Sequence, residues 1–246
     1  MKTYIALITC LICIVFINIA VAQDELQIAR AAGTKRDTKT YNLVSLDGKT
    51  EKVKIVPDYV NHVLRMSCSG KSINITDFWG VTPEIHTLNK NFIEIKYAVR
   101  GGTNLGLGNT LILCVNGGKL YEAMHVLRYA NWDSGELKMN YNIKLNLTGN
   151  NISNYQLNMA IHDDVNSKPD PEHNYNYNNQ TVLSFDTKQN AFYSVKKSIY
   201  NYHLKTRKSK QRIDGNFPVI ILGKETYYYI NDRWCKLGDN QELSVF

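Results

Sequence analysis

Cysteine is scarce: the 246-residue chain has five, and two of them, Cys10 and Cys13, fall inside an apolar run near the start. The remaining three, Cys68, Cys114 and Cys235, are an odd number. At most one internal disulfide is therefore expected, with one thiol left over, and sequence alone does not choose the pair. So few cysteines exclude a disulfide-stapled scaffold, and the fold must rest on its hydrophobic core.

Catalytic signatures are missing too. No Gly-x-Ser-x-Gly nucleophile elbow occurs. The glycine-rich stretch Gly101 to Gly108 lacks the Walker lysine and runs into Thr110-Leu111-Ile112-Leu113-Cys114-Val115. That is a buried-strand pattern, whereas a phosphate cradle needs a helix whose N-terminal amides face the ligand. A wide loop between two antiparallel strands is expected there, and no cofactor is.

Only one long apolar run exists. Lys2 precedes Ile5 to Val21, which ends in Ala20-Val21-Ala22. A basic start, an apolar stretch and a small-x-small site read as a secretory signal peptide over residues 1–22, against the alternative of an uncleaved anchor. The mature chain is then expected to be soluble, without a transmembrane segment, in the periplasm or secreted, and extracellular in a eukaryote. Asn-x-Ser/Thr sequons begin at Asn74, Asn146, Asn151 and Asn179 and matter only in a eukaryotic secretory route.

What is present is β pattern. Met139, Tyr141, Ile143, Leu145 and Leu147 alternate with polar residues. After Thr148-Gly149-Asn150-Asn151, Tyr155, Leu157, Met159 and Ile161 resume the same period of two. This predicts a hairpin with one buried face. Asp47-Gly48 between Tyr41–Leu46 and Lys49–Val56 predicts another, closed by a type I′ turn. Asn116-Gly117-Gly118 marks a further turn, and Phe217–Leu222, Thr226–Ile230 and Arg233–Leu237 read as a meander. Residues 119–129 fit a helix through Leu120, Met124 and Leu127, or a strand through Tyr121, Ala123 and His125. After a loose lead at 23–40, residues 41–246 are expected to form an all-β body of antiparallel hairpins and meanders, sandwich-like or barrel-like. Residues 163–180 read as a long polar loop, the seam if there are two β units.

Three candidate sites follow. The formal charge is +7, or +6 without residues 1–22. Lys196, Lys197, Lys205, Arg207, Lys208, Lys210 and Arg212 lie together with no acid among them, so the rest of the mature chain sums to −1. Lys205, Arg207, Lys208, Lys210 and Arg212 are the predicted contacts for an anionic glycan or lipid headgroup, nucleic acid being a poor fit outside the cell. Edge-strand protection by lysine is the plainer explanation. Second, His162, Asp163, Asp164 and His173, with Asp170 and Glu172, could converge on a metal or supply acid and base to a secreted hydrolase. Third, Asn140, Asn142, Asn146 and Asn158 share the polar face of the hairpin, where amides beside tyrosines suit a sugar. Tyr227 to Tyr229 are expected to be exposed contacts for a protein partner. The reading is a non-catalytic binding module, with a secreted hydrolase or metal-dependent enzyme using the 162–173 loop as the alternative.

Overall fold

A computed structural model describes residues 37–102, 105–206 and 208–246. The signal peptide read at 1–22 lies outside the described residues, as does most of the lead at 23–40. Apart from two short 3-10 turns, Pro171–His173 and Asp239–Gln241, all regular structure among the described residues is β-strand. Among them, no helix is long and apolar enough to cross a membrane.

The strands form three sheets. The first is a four-stranded meander of β1 (Lys39–Val44), β2 (Thr50–Asp58), β3 (Val63–Cys68) and β4 (Lys71–Ile75). The second is an eight-stranded meander, with its strands in chain order across the sheet. It runs β5 (Glu84–Thr87), β6 (Ile93–Val99), β7 (Leu105–Asn116), β8 (Lys119–Asp133), β9 (Leu137–Thr148), β10 (Gln156–Ser167), β11 (Tyr175–Asp186) and β12 (Ala191–Tyr193). The third is a small closed barrel of β13 (Val195–Lys205), β14 (Lys210–Leu222), β15 (Glu225–Ile230), β16 (Arg233–Leu237) and β17 (Glu242–Val245). A parallel pairing of β17 on β13, with Leu204 opposite Leu243, closes it.

The predicted central hairpin is β9–β10. Ile143 faces Ile161, Leu145 faces Met159 and Leu147 faces Leu157, so the alternating apolar residues meet across the ladder as the pattern requires. Residues 119–129 are strand, because the two-residue turn at Gly117-Gly118 has φ of +55° and +70° and returns the chain directly onto β7. The Asp47-Gly48 hairpin forms, but only Gly48 has positive φ, so its turn is not type I′. Ser69-Gly70 and Asn231-Asp232 take that geometry instead, both residues of each pair having positive φ.

Two expectations are corrected. Residues 163–180 are mostly ladder: β10 and β11 stay paired out to Val165 opposite Tyr175, leaving only a short turn around Pro171–His173. Backbone hydrogen bonds and polar cross-strand pairs such as Tyr175 with Asp163 and Asn176 with Asp164 hold most of that pairing, with few apolar side chains, which is why hydropathy reads it as loop. Tyr227, Tyr228 and Tyr229 are buried rather than exposed, at 0%, 3% and 3%.

Their burial follows from how the sheets stack. Leu43, Val53, Ile55, Leu64, Met66 and Ile75 of the first sheet pack on Ile93, Ile95, Tyr97, Leu111, Leu113 and Val115. The opposite face of the same strands, with Ile112, Cys114 and Met124, meets the β9–β11 hairpins and the barrel's Ile220, Tyr227, Tyr229 and Trp234. Strand β7 is thus covered on both faces, the physical reason for its unbroken apolar run Leu111–Val115, whereas β6 alternates, with Glu94 and Lys96 between Ile93, Ile95 and Tyr97. Tyr228 and Ile230 point the other way, into the barrel interior with Ile199, Val219 and Cys235. Cys68, Cys114 and Cys235 are all buried and free, so no disulfide joins them.

Candidate functional site

Alternation along β10 separates the predicted metal ligands. His162 and Asp164 face one side of the sheet and Asp163 the other. Asp163 accepts a hydrogen bond from the Tyr175 hydroxyl at 3.0 Å. Burial and this bond together push that hydroxyl up to about 12. His162 Nδ1 is 2.8 Å from Asn178 Oδ1, and Asp164 accepts from Asn176 at 3.2 Å. His173 sits in the 3-10 turn, paired with Asp170 at 2.6 Å. The four residues are not brought together. Among the described residues, no group of three or more His, Cys, Asp or Glu is placed to hold a metal ion.

The basic segment occupies β13, the start of β14 and the tip between them; Arg207 lies outside the described residues. Acids from elsewhere in the chain enter the cluster. Glu242 of β17 pairs with Lys210 at 2.6 Å and approaches Lys205 at 3.9 Å, and Arg212 pairs with Asp214 at 2.8 Å. The Lys210 hydrogen bond and charge hold the Glu242 carboxyl below its usual range, and the Arg212 bond does the same for Asp214. Lys196 lies over the Tyr193 ring, and Lys208 is exposed. The potential at this tip is therefore weaker than seven clustered cations suggest.

The polar face of the β9–β10 hairpin continues across the sheet. Register places Ala98, Gly108, Tyr129, Asn142, His162 and Asn178 in one row across β6 to β11. Residues directly opposite each other project from the same face. At about 4.8 Å per strand, the row covers roughly 24 Å of sheet. Beside it, Ala160 lies between Lys144 and Gln180. The small side chain there leaves a groove of about 620 Å³ rimmed by Asn142, His162, Asn178 and Gln180. A second depression, about 190 Å³, continues it past Asn146 and Asn158. Hydrogen bonds from Asn178 to Asn176 (2.6 Å) and from Asn158 to Thr148 (3.2 Å) hold the amides in place.

The aromatic end of this row is built by glycine. Tyr129 leans across its neighbour strand, so a Cβ on Gly108 would lie 2.1 Å from Tyr129 Cε1. Arg128 covers the Tyr129 ring at 4.6 Å. Trp79 is tied to the same row through its backbone bond to Ala98, at 2.9 Å, and is 43% exposed. His62 stacks on it at 5.2 Å, with Arg100 5.3 Å from its centroid. Trp79 and Tyr129 flank a further groove of about 330 Å³.

A different polar cluster is sealed inside, where β8 meets the barrel. Glu122 and His125 are 0% exposed. His125 Nε2 is 2.6 Å from the Tyr97 hydroxyl, which donates to Asp77 at 3.3 Å, and Asn109 bonds both Asp77 and Tyr97 at 3.1 Å. Burial drives the Tyr97 hydroxyl well above its ordinary range and raises the Asp77 carboxyl. Glu122 meets the Arg233 guanidinium and accepts the Trp234 backbone N–H at 3.3 Å. This cluster joins the large sheet, the barrel and the connection after β4, and leaves Glu122 and His125 closed to solvent.

The amides read from the hairpin alone cover part of the face. Tyr129, Ala160, Asn178 and Gln180 complete it. The even-numbered polar residues Asn176, Asn178 and Gln180 carried the signal, hidden by reading that stretch as loop. The sequon asparagines Asn74, Asn146, Asn151 and Asn179 are all exposed. No family model, no curated protein and no solved structure matches this chain.

Proposed function

We propose that the protein is a non-catalytic binding module that acts outside the cytoplasm and takes an extended, polyhydroxylated polymer, a glycan, along the outer face of the eight-stranded sheet. The observation that carries this reading is the single row running from the exposed Trp79 through Tyr129 to Asn142, His162 and Asn178. Aromatic rings offer a sugar's C–H faces a stacking platform, and each primary amide offers both a donor and an acceptor to vicinal hydroxyls. Four of the lining groups are amides, which do not titrate and suit recognition; the imidazole of His162 is held among them, its Nδ1 2.8 Å from Asn178 Oδ1. The basic hairpin tip is the weaker surface, because Glu242 and Asp214 share its charge.

The test is retention on a panel of immobilised neutral and acidic polysaccharides, with the parent beside Asn142→Ala/Asn178→Ala and the groove-filling Ala160→Trp. The expected result is retention by a neutral polymer that persists at 0.5 M salt (about a 4–5 Å Debye length) and falls at least about tenfold in both variants, roughly 1.4 kcal/mol. Binding that vanishes with salt and with Lys205, Lys208, Lys210 and Arg212 replaced by Ser moves the site to the basic tip. No retention on any polymer overturns the proposal.

A further inference from the structure

One sheet edge is left without the usual guards. Strand β11 spans twelve residues, but β12 covers only Ser184, Phe185 and Asp186. From Tyr175 to Leu183 the strand pairs with β10 on one side and nothing on the other: among the described residues, no backbone group bonds its open side. Nine residues at about 3.4 Å each make an edge roughly 30 Å long. Gln180 turns its N–H outward, where Asn179 Oδ1 accepts it at 2.8 Å. By alternation, Asn176, Asn178 and Val182 present their backbone groups the same way.

Exposed edges are normally blunted by charge, proline, bulges or brevity. The other sheet-edge strands fit that rule: β1 carries Lys39, β4 carries Lys71, β5 is four residues with Glu84 and His86, and β12 is three residues. The stretch Tyr175–Leu183 has no Lys, Arg, Asp, Glu or Pro, and its register with β10 is unbroken. It also carries Tyr177, 37% exposed, and Val182, 50% exposed.

We infer that this edge pairs with the same edge of a second copy, β11 running antiparallel to its mate about a two-fold axis perpendicular to the sheet. The absence of charge favours a copy over a foreign strand. About the two-fold, Asn178 faces Gln180 of the second copy and Asn176 faces Val182, so no like charges meet across this edge. A basic or acidic partner would gain no complementarity from it. The four outward residues of each strand supply up to about eight backbone hydrogen bonds, and Asn and Gln side chains ladder across the join. A two-fold perpendicular to the sheet keeps both outer faces on the same side, so the dimer has one sixteen-stranded sheet with the amide rows of both copies in line. The inference does not rest on the glycan reading, since the edge would pair whatever the face binds.

An interface of little more than one strand per copy falls below the size of permanent complexes, so micromolar association is expected. Sedimentation equilibrium of the purified protein from about 1 to 500 μM reads it directly. The expected result is a monomer–dimer equilibrium in the parent, and a monomer throughout for Asn178→Lys/Gln180→Lys, which sets lysine against lysine across the two-fold. Gln180→Pro, which removes an outward N–H and leaves the β10 ladder intact, should also be monomeric; it guards against a misfolded charge variant. A parent that stays monomeric at 500 μM, or a dimer that both variants retain, overturns the inference.

Discussion

Removing the Arg233 side chain isolates a buried charge, and its cost can be worked from the structure. Glu122 is wholly buried; its carboxylate meets the Arg233 guanidinium and accepts the Trp234 N–H. Breaking a buried pair by deleting one partner costs about 3–5 kcal/mol, mostly from the charge left behind. The Arg233 side chain is 29% exposed, so water can enter where it stood, placing Arg233→Ala near the lower end, about 3 kcal/mol. The substitution also loses the bond from Arg233 Nη2 to the Phe246 carbonyl, at 3.1 Å, next to the ring that stacks on His125. At about 2–4 °C per kcal/mol for a chain of this size, the midpoint should fall by roughly 6–12 °C. A thermal melt reads that shift and urea unfolding the free energy, both followed by tryptophan fluorescence, because the Trp234 indole N–H donates to the Glu122 carbonyl at 3.0 Å and should report the same event. The paired variant Glu122→Gln/Arg233→Met removes both charges and should recover most of the loss. A cost below about 1 kcal/mol for Arg233→Ala, or a pair more damaging than its two singles combined, would refute the reasoning.

Three other outcomes are expected. Gly108→Ala should cost about 1–3 kcal/mol, because its Cβ meets the Tyr129 ring; Tyr129→Ala in the same chain should relieve the clash, as thermal melts would show. The thiols of Cys68, Cys114 and Cys235 should resist a thiol reagent in the folded protein and react on unfolding, since burial raises all three and pushes Cys235 up to about 12; reaction of Cys114 in the native state would contradict its packing. Glu242, held below its ordinary value by Lys210, stabilises the fold at neutral pH, and that contribution is lost as the pH drops through its folded value; the melting difference from Glu242→Gln should be present at pH 7 and gone near pH 3.

Hydropathy found the features that hydropathy makes. The β9–β10 register is dictated by apolar residues two apart, and β7 by a run buried on both faces. It could not find the far half of β10–β11, where both strands are polar and the ladder is carried by the backbone. Nor could it show that Tyr227 to Tyr229 are inside, because a tyrosine run suits a core and a surface alike. Of the polar face, only Asn140, Asn142, Asn146 and Asn158 were legible in the sequence. Its extension needs cross-strand register, and its aromatic end needs the absence of a side chain at Gly108. The acids that temper the basic tip come from outside the 196–212 window, so a linear charge count overstates it.

Strand β15 sends Tyr227 and Tyr229 into the core shared with the large sheet and Tyr228 and Ile230 into the barrel. A one-residue slip would exchange the two sets, putting each side chain in a space shaped for its neighbour. Its length is consequently fixed from both sides. An inserted or deleted residue within Glu225–Ile230 should not be absorbed by sliding, whereas the exposed hairpin tips at Asp47-Gly48 and Asn150-Asn151 can lengthen without disturbing either interior. Changes in chain length over evolution should therefore collect at those tips and pass this strand by.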